Sequence, residues 1–284
     1  MSSTTLKLLA MVAMTLDHFW VFLPNSPYFF HWIGRLAAPI FLFCCVEGYI
    51  YTRSKKKFFM KIYSLSVFVD LMNLVLGIND VRINFIRTIL LTLTIILIID
   101  KFKGKNKNAK LYLFSFMIYQ TIVGIAAIYI ITFTEITDNI LYLMLSITNS
   151  IFALDGGIIF VLIGVSMFIF RNNKFKISIA FIILNFIYVI LFNSSLLLRI
   201  NYLINNDLLE FLFLIVCNGI LGFDLMSVTS DLLFGNPQRM MIFSLFFILL
   251  YNGKKEKGLK YLFYIFYPLH IAILYEFSIL IYIL

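Results

Sequence analysis

The 284 residues are 62% hydrophobic and 18% aromatic, only 13% carry charge, and the mean hydropathy is +0.98. A soluble globular domain has about 25% charged residues, so this composition excludes one, and apolar runs of about 15 to 23 residues exclude the alternating pattern of a membrane β-barrel. The net charge of +9 sits in short blocks between the apolar runs, which marks loops held on the cytoplasmic side rather than a nucleic-acid surface.

The first run spans residues 6 to 23, LKLLAMVAMTLDHFWVFL, and reads as a retained anchor because no small-residue cleavage site accompanies it. Asp17 and His18 lie two thirds of the way along it. An ionisable side chain at that depth costs about 2.5 to 3.5 kcal/mol on insertion scales, so two in succession need partners or a purpose. Imidazole takes and returns a proton near neutral pH, the work of a general base. Neighbours on a helix point about 100° apart, so Asp17 either assists His18 or holds a different helix while His18 faces a cavity. A polar clamp between helices is the competing reading of both residues.

A loop with Pro24 and Pro27 leads to a second run, about 32 to 51, which contains Gly34, Arg35, Pro39 and Glu47 and ends in TRSKKK at 52 to 57. That basic block places Lys7 inside and residues 24 to 31 outside. The third run, 58 to 77, carries Asp70 and Asn73; the fourth, 83 to 99, carries Asn84 and Arg87 and leads to a basic loop at 100 to 110. A fifth covers 111 to 133. Runs at 139 to 154 and 157 to 171, joined at Asp155, Gly156 and Gly157, are two short spans or a surface helix and one span. Others cover 177 to 197, 208 to 223, 239 to 251 and 261 to 283. Taking all of them gives eleven crossings, with Asp224 and Asp231 outside, NGKKEKGLK at 252 to 260 inside, and one violation of the charge rule, RNNKFK at 171 to 176 outside. An arrangement of nine or ten spans with a re-entrant segment is the alternative. The expectation is an all-α integral membrane protein, one polytopic domain of about 9 to 11 transmembrane helices.

Arg35 and Glu47 lie about 18 Å apart along one helix, so each needs a partner elsewhere, with Asp17, His18 and Asp70 as candidates. The Asp155-Gly156-Gly157 turn reads as a hinge in preference to a ligand loop. Asn252 and Gly253 form a turn followed by Lys254 and Lys255, either a solvated loop touching anionic lipid or a receiver of phosphates. Pro268 frees a backbone carbonyl, and His270 just beyond it is a second imidazole at depth. His31, beside Trp32, reads as an interfacial residue. Cys44, Cys45 and Cys217 lie in apolar runs without metal-ligand spacing, so no metal site is expected. Neither His-Glu-x-x-His nor Gly-x-Ser-x-Gly occurs.

The segments LKLLAMVAMTLDHF, IGRLAAPIFLFCCVEGYIYTRSKKKFFMKIYSLS, LDGG, QRMMIFSLFFILLYNGKKEKGLKYLF and FYPLHIAIL resemble, in order, the TraX family of bacterial membrane proteins, named for the acetylase that modifies the N-terminus of conjugative F-type pilin. Residues 172 to 236 carry little of the resemblance. The resemblance implies a multi-pass protein of the bacterial cytoplasmic membrane that transfers an acetyl group from cytosolic acetyl-CoA to a peptide, pilin or glycan acceptor. On that implication Asn252, Gly253, Lys254 and Lys255, with His270, receive the CoA, and His18 deprotonates the acceptor. Asp17 or Glu47 orients the imidazole and Arg35 stabilises the oxyanion. A proton-coupled transporter using Asp17, His18, Arg35 and Asp70 is the alternative from a different class, and a scaffold without chemistry is a third.

Overall fold

The computed structural model describes residues 1–78, 83–152, 154–193, 196–222, 237–254 and 260–283. Every regular element among them is helical: α1 (Ser3–Phe22), α2 (Phe29–Gly34), α3 (Ala37–Tyr51), α4 (Lys55–Leu76), α5 (Phe85–Lys103), α6 (Ala109–Phe133), α7 (Asp138–Ile147), α8 (Gly157–Ile169), α9 (Lys174–Asn193), α10 (Leu196–Leu203), α11 (Asp207–Ile215), α12 (Ser244–Leu249) and α13 (Lys260–Ile283). A π-helical turn, Val216–Leu221, continues α11, and a 3₁₀ turn, Pro237–Phe243, leads into α12. The loop positions of Asp224 and Asp231 lie outside the described residues.

Among the described residues, six helical stretches are long and apolar enough to cross a bilayer: Ser3–Phe22, Phe29–Tyr51, Lys55–Leu76, Ala109–Phe133, Lys174–Leu191 and Tyr261–Ile281. The chain is therefore an all-α, multi-pass membrane protein. α5, with 19 residues, is of comparable length but carries Arg87, Asp100, Lys101 and Lys103, and the other apolar runs form shorter helices. α7 and α8, with 10 and 13 residues, reach only about 15 and 20 Å against a hydrocarbon core of about 30 Å.

Local chemistry sets the boundaries. Ser2 accepts a hydrogen bond from the backbone N–H of Thr5 and caps α1, and Ser54 caps α4 through Lys57. Gly77, at φ 68°, ends α4 in a left-handed turn that returns the N–H of Ile78 to the carbonyl of Asn73. Pro39 has no N–H for the carbonyl of Arg35, and the long second stretch accordingly breaks at residues 35 and 36.

The chain packs as two compact units. The first is Met1–Tyr51, Ser166–Ile200 and Ser227–Leu284. In it α1 packs on α2, α3 and α13. Residues from separate loops meet at its basic end: the N–H of Ser3 donates to the carbonyl of Lys254, the N–H of Asn252 donates to that of Met1, and the Lys174 ammonium donates to that of Leu249 at 2.8 Å. Arg171 reaches the same end, where its charge acts on Glu47. Thus 171–176 shares an end with 249–254, opposite to the placement that an eleven-crossing count requires, and the charge-rule violation disappears.

The second unit is Thr52–Val165 and Asn201–Met226. α4 packs against α5 and α7, and a Lys55–Asp100 ion pair joins one end of the α4–α5 hairpin. Leu91, Leu154 and Val161 form a buried core. Gln120 brackets the turn after α7, donating to the carbonyl of Asn149 and accepting from the N–H of Ile151. At Gly157, φ 69°, the position of a Cβ lies 1.9 Å from the carbonyl oxygen of Leu221. The Leu154–Gly157 turn is thus a close backbone contact, a packing role beyond the hinge expected for it.

Candidate functional site

Asp17 and His18 face different helices, as their angular separation on α1 allows. The Asp17 carboxylate turns to α2. His31 Nδ1 donates to Asp17 Oδ1 at 2.7 Å, and Arg35 Nη2 donates to Oδ2. Trp20 stacks on the His31 ring at 4.0 Å between centroids and fixes its plane. Gly34 permits this approach, because a Cβ there would lie 2.3 Å from the Asp17 Cβ. One carboxylate therefore holds an imidazole and a guanidinium, leaving the ionic part of the cluster balanced.

His18 turns to α13 instead. Its Nδ1 lies 2.6 Å from Nε2 of His270, and the rings stack at 4.8 Å. His270 Nδ1 lies 2.7 Å from the carbonyl oxygen of Phe266. A carbonyl only accepts, so Nδ1 of His270 carries the hydrogen and its Nε2 offers a lone pair. His18 Nδ1 is then the donor in the imidazole–imidazole bond, and the lone pair of His18 lies on Nε2, which makes no hydrogen bond among the described residues. Both imidazoles are buried. His18 is about 22 Å along α1 from Ser3 and His270 about 15 Å along α13 from Lys260. Lys7 over the ring of Phe263 and Phe22 against Tyr275 show that the two helices run parallel.

The remaining expected site residues are elsewhere. Glu47 is not brought to His18. It sits near the far end of α3, where the Tyr251 hydroxyl donates to it and Arg171 supplies the charge that acts on it. Its distance along the second stretch from Arg35, about 18 Å, is the physical reason. Burial, and then the Glu47 carboxylate, push the Tyr251 phenol up to about 12, so the hydroxyl remains a donor. Asn252 and Lys254 tether the start of α1 through main-chain bonds, with Gly253 turning the chain between them at φ 73° and Asn252 Oδ1 accepting from the N–H of Lys254 at 3.0 Å. The Lys254 side chain is exposed, and Lys255 lies outside the described residues. His270 belongs with His18 rather than with that loop. Arg35 is committed to Asp17, the one of its candidate partners that it meets.

His31 is the residue that sequence reasoning assigned to the interface and the structure places in the cluster. Its signal was its spacing of four from Arg35, which puts both on one helical face with Gly34 between them. Cys44, Cys45 and Cys217 are free thiols, and among the described residues there is no group of three or more His, Cys, Asp or Glu side chains that could hold a metal ion.

No curated protein and no solved structure matches the chain. The family model described as TraX protein matches residues 2–278, nearly the whole length, and the chain belongs to the TraX family.

Proposed function

We propose that the protein is a membrane-embedded acyltransferase that moves an acetyl group from cytosolic acetyl-CoA to an amine or hydroxyl of a peptide, pilin or surface glycan, with His18 as general base. The observation that carries this reading is the Phe266–His270–His18 chain, which leaves the basic lone pair on His18 Nε2. The acceptor gives its proton to that nitrogen as it attacks the thioester carbonyl. A new C–N or C–O bond forms, the carbonyl electrons move to oxygen, and their return expels CoA thiolate. The thiolate then takes the proton from His18. His270 accepts the Nδ1–H bond throughout and spreads the transient positive charge over two rings. A thioester is already activated, so the scheme needs neither a covalent enzyme intermediate nor a Lewis acid.

Asp17 and Arg35 act beside this chain rather than through it. By holding α2 on α1 they keep the helix carrying His18 in one orientation. In this reading the basic end of the first unit receives the phosphates of CoA, with Lys254, Arg171, Lys174 and Lys7 as the cations. The bacterial cytoplasmic membrane is the location in which these ends would meet cytosolic acetyl-CoA.

The test uses purified protein in lipid with labelled acetyl-CoA, following thiol release and label transfer to peptide and sugar acceptors. His18→Ala is expected to lower turnover by about 10²- to 10⁴-fold. His270→Ala is expected to lower it as well, and the double variant to be no slower than His18→Ala, because the two rings act as one unit. Normal turnover by His18→Ala refutes the assignment. The second reading, a proton-coupled transporter, has one observation in its favour, a buried Asp70–Arg87 ion pair in the second unit, and predicts vectorial proton movement without CoA release.

A further inference from the structure

Asp17 and His31 form a carboxylate–imidazole pair that the proposed reaction does not use. His31 Nδ1 donates to Asp17 Oδ1 at 2.7 Å, which fixes the tautomer and puts the lone pair of the ring on Nε2. That nitrogen makes no hydrogen bond among the described residues and is not one of the enclosed polar atoms, and the side chain keeps 13% of its exposure. Trp20 lies over the ring, 4.0 Å between centroids and 22° between planes, so the direction of Nε2 is set as well. Asp17 on α1 and Arg35 on α2 are the charged groups whose fields reach the ring. The 3₁₀ turn that packs on α2 carries Arg239, and α3 carries Glu47 near its far end. The pair lies about 7.5 Å along α1 from Phe22, towards the end of the unit opposite to Lys254.

The chemistry of an amine acceptor calls for such a group. At neutral pH an amine is mostly its ammonium ion, which has no lone pair. It therefore loses one proton before it attacks and a second as the amide forms, whereas a hydroxyl loses one only. In the scheme above His18 returns its single proton to the CoA thiolate. A hydroxyl acceptor thus leaves no proton over, and an ammonium leaves one. That surplus proton needs a base in contact with water. His18 is buried, and His31 is partly exposed.

We propose that His31 Nε2, with Asp17 behind the ring, is a second general base that takes the surplus proton of an ammonium acceptor. This rests on the acyl-transfer reading and concerns its amine branch. One ammonium N–H bond breaks, its electron pair stays on the nitrogen, and the proton joins Nε2. The positive charge then rests between the Asp17 carboxylate and the face of Trp20, an arrangement that suits a cation. Arg35 Nη2, 3.3 Å from Nδ1, keeps that charge transient. The freed amine attacks the thioester and gives its second proton to His18. His31 passes the first to solvent, so one proton leaves per acetyl group transferred.

The test compares His31→Asn with the wild type, both as the full chain in lipid with labelled acetyl-CoA. The acceptors are a peptide whose only amine is its N-terminus, an N-blocked lysine peptide, and a sugar. The Asn amide can donate to Asp17 from the place of Nδ1 but has no counterpart of Nε2, so only free base reacts. For an α-amine of pKa about 7.7 to 8.0, kcat/KM is expected to fall about 6- to 11-fold at pH 7 and about 1.1-fold at pH 9. For lysine, pKa about 10.4, the expected losses are about 2,500-fold and about 26-fold. The sugar is expected to give the same ratio of variant to wild type at both pH values, because damage to packing acts on every acceptor alike. Should His31→Asn not fold, the wild type still decides: relative to the sugar, its kcat/KM for the α-amine is expected to stay within about twofold from pH 7 to 9, since His31 carries the proton in the transition state. A rise of about 6- to 10-fold there, following the free base, overturns the role of His31. So does an amine ratio that does not change with pH, the same pH-dependent loss with the sugar, or a wild type that acetylates the sugar alone. A wild type that transfers to no acceptor overturns the acyl-transfer reading, and this proposal with it.

Discussion

Gly34→Ala separates two opposite expectations. On helix propensity alone the change favours folding by about 1 kcal/mol. In the structure the new methyl group would lie 2.3 Å from Asp17 Cβ, 2.4 Å from Oδ1 and 2.5 Å from Cγ, against 3.4–4 Å for ordinary contact. Relief requires about 1 Å of movement, which takes the 2.7 Å bond from His31 to Asp17 out of hydrogen-bonding range. Breaking a buried ion pair costs about 3 to 5 kcal/mol. The Asp17 and Arg35 side chains keep 15% and 19% of their exposure, so the lower figure applies. About 3 kcal/mol is roughly a 150-fold loss in the folding equilibrium and a fall in Tm of about 6 to 12 °C. The assay is thermal unfolding of Gly34→Ala, Asp17→Gly and the double variant in the same lipid. Because Asp17→Gly removes the Cβ that the new methyl group meets, damage that runs through Asp17 leaves the double variant no less stable than Asp17→Gly. An unchanged or raised Tm for Gly34→Ala, or additive losses in the double variant, refutes the reasoning.

Two further substitutions test the remaining architecture. Gly157→Ala puts a methyl group 1.9 Å from the Leu221 carbonyl oxygen at a backbone φ of 69°, where the obstacle is main chain; its loss of stability should exceed about 4 kcal/mol, while Gly77→Ala, at φ 68° in open space, should cost about 1 to 2 kcal/mol in parallel unfolding measurements. Glu47→Gln should leave kcat for acetyl transfer within about twofold, because Glu47 meets Tyr251 and Arg171 rather than His18; a loss approaching that of His18→Ala would contradict this placement.

The membrane class was legible because long apolar runs and few charges admit no other backbone solution. The divergence of Asp17 from His18 was also readable, since it follows from helical geometry alone. The His18–His270 pair was not, because 252 residues separate the two rings and no local spacing encodes such a contact. The role of Asn252 and Lys254 was hidden for a different reason. They act on α1 through main-chain groups, which every residue possesses, whereas their side chains advertise a basic loop. His31 was misplaced because the prolines before it made the segment read as an outer connection, although α2 begins at Phe29 and brings the ring back over Asp17.

The two neighbours on α1 act together as a rotational lock. Their side chains leave the helix about 100° apart, one keyed to α2 and the other to α13. Turning α1 to tighten either set of contacts slackens the other, so both are met at a single azimuth. Axial sliding is checked separately where Ser3 and Met1 pair with the main chain of residues 252 and 254. α1 thereby serves as a datum for its neighbours: a molecule that wedges α13 away from His18 meets resistance from a helix held in place by α2, and the strain is delivered to the imidazole bond.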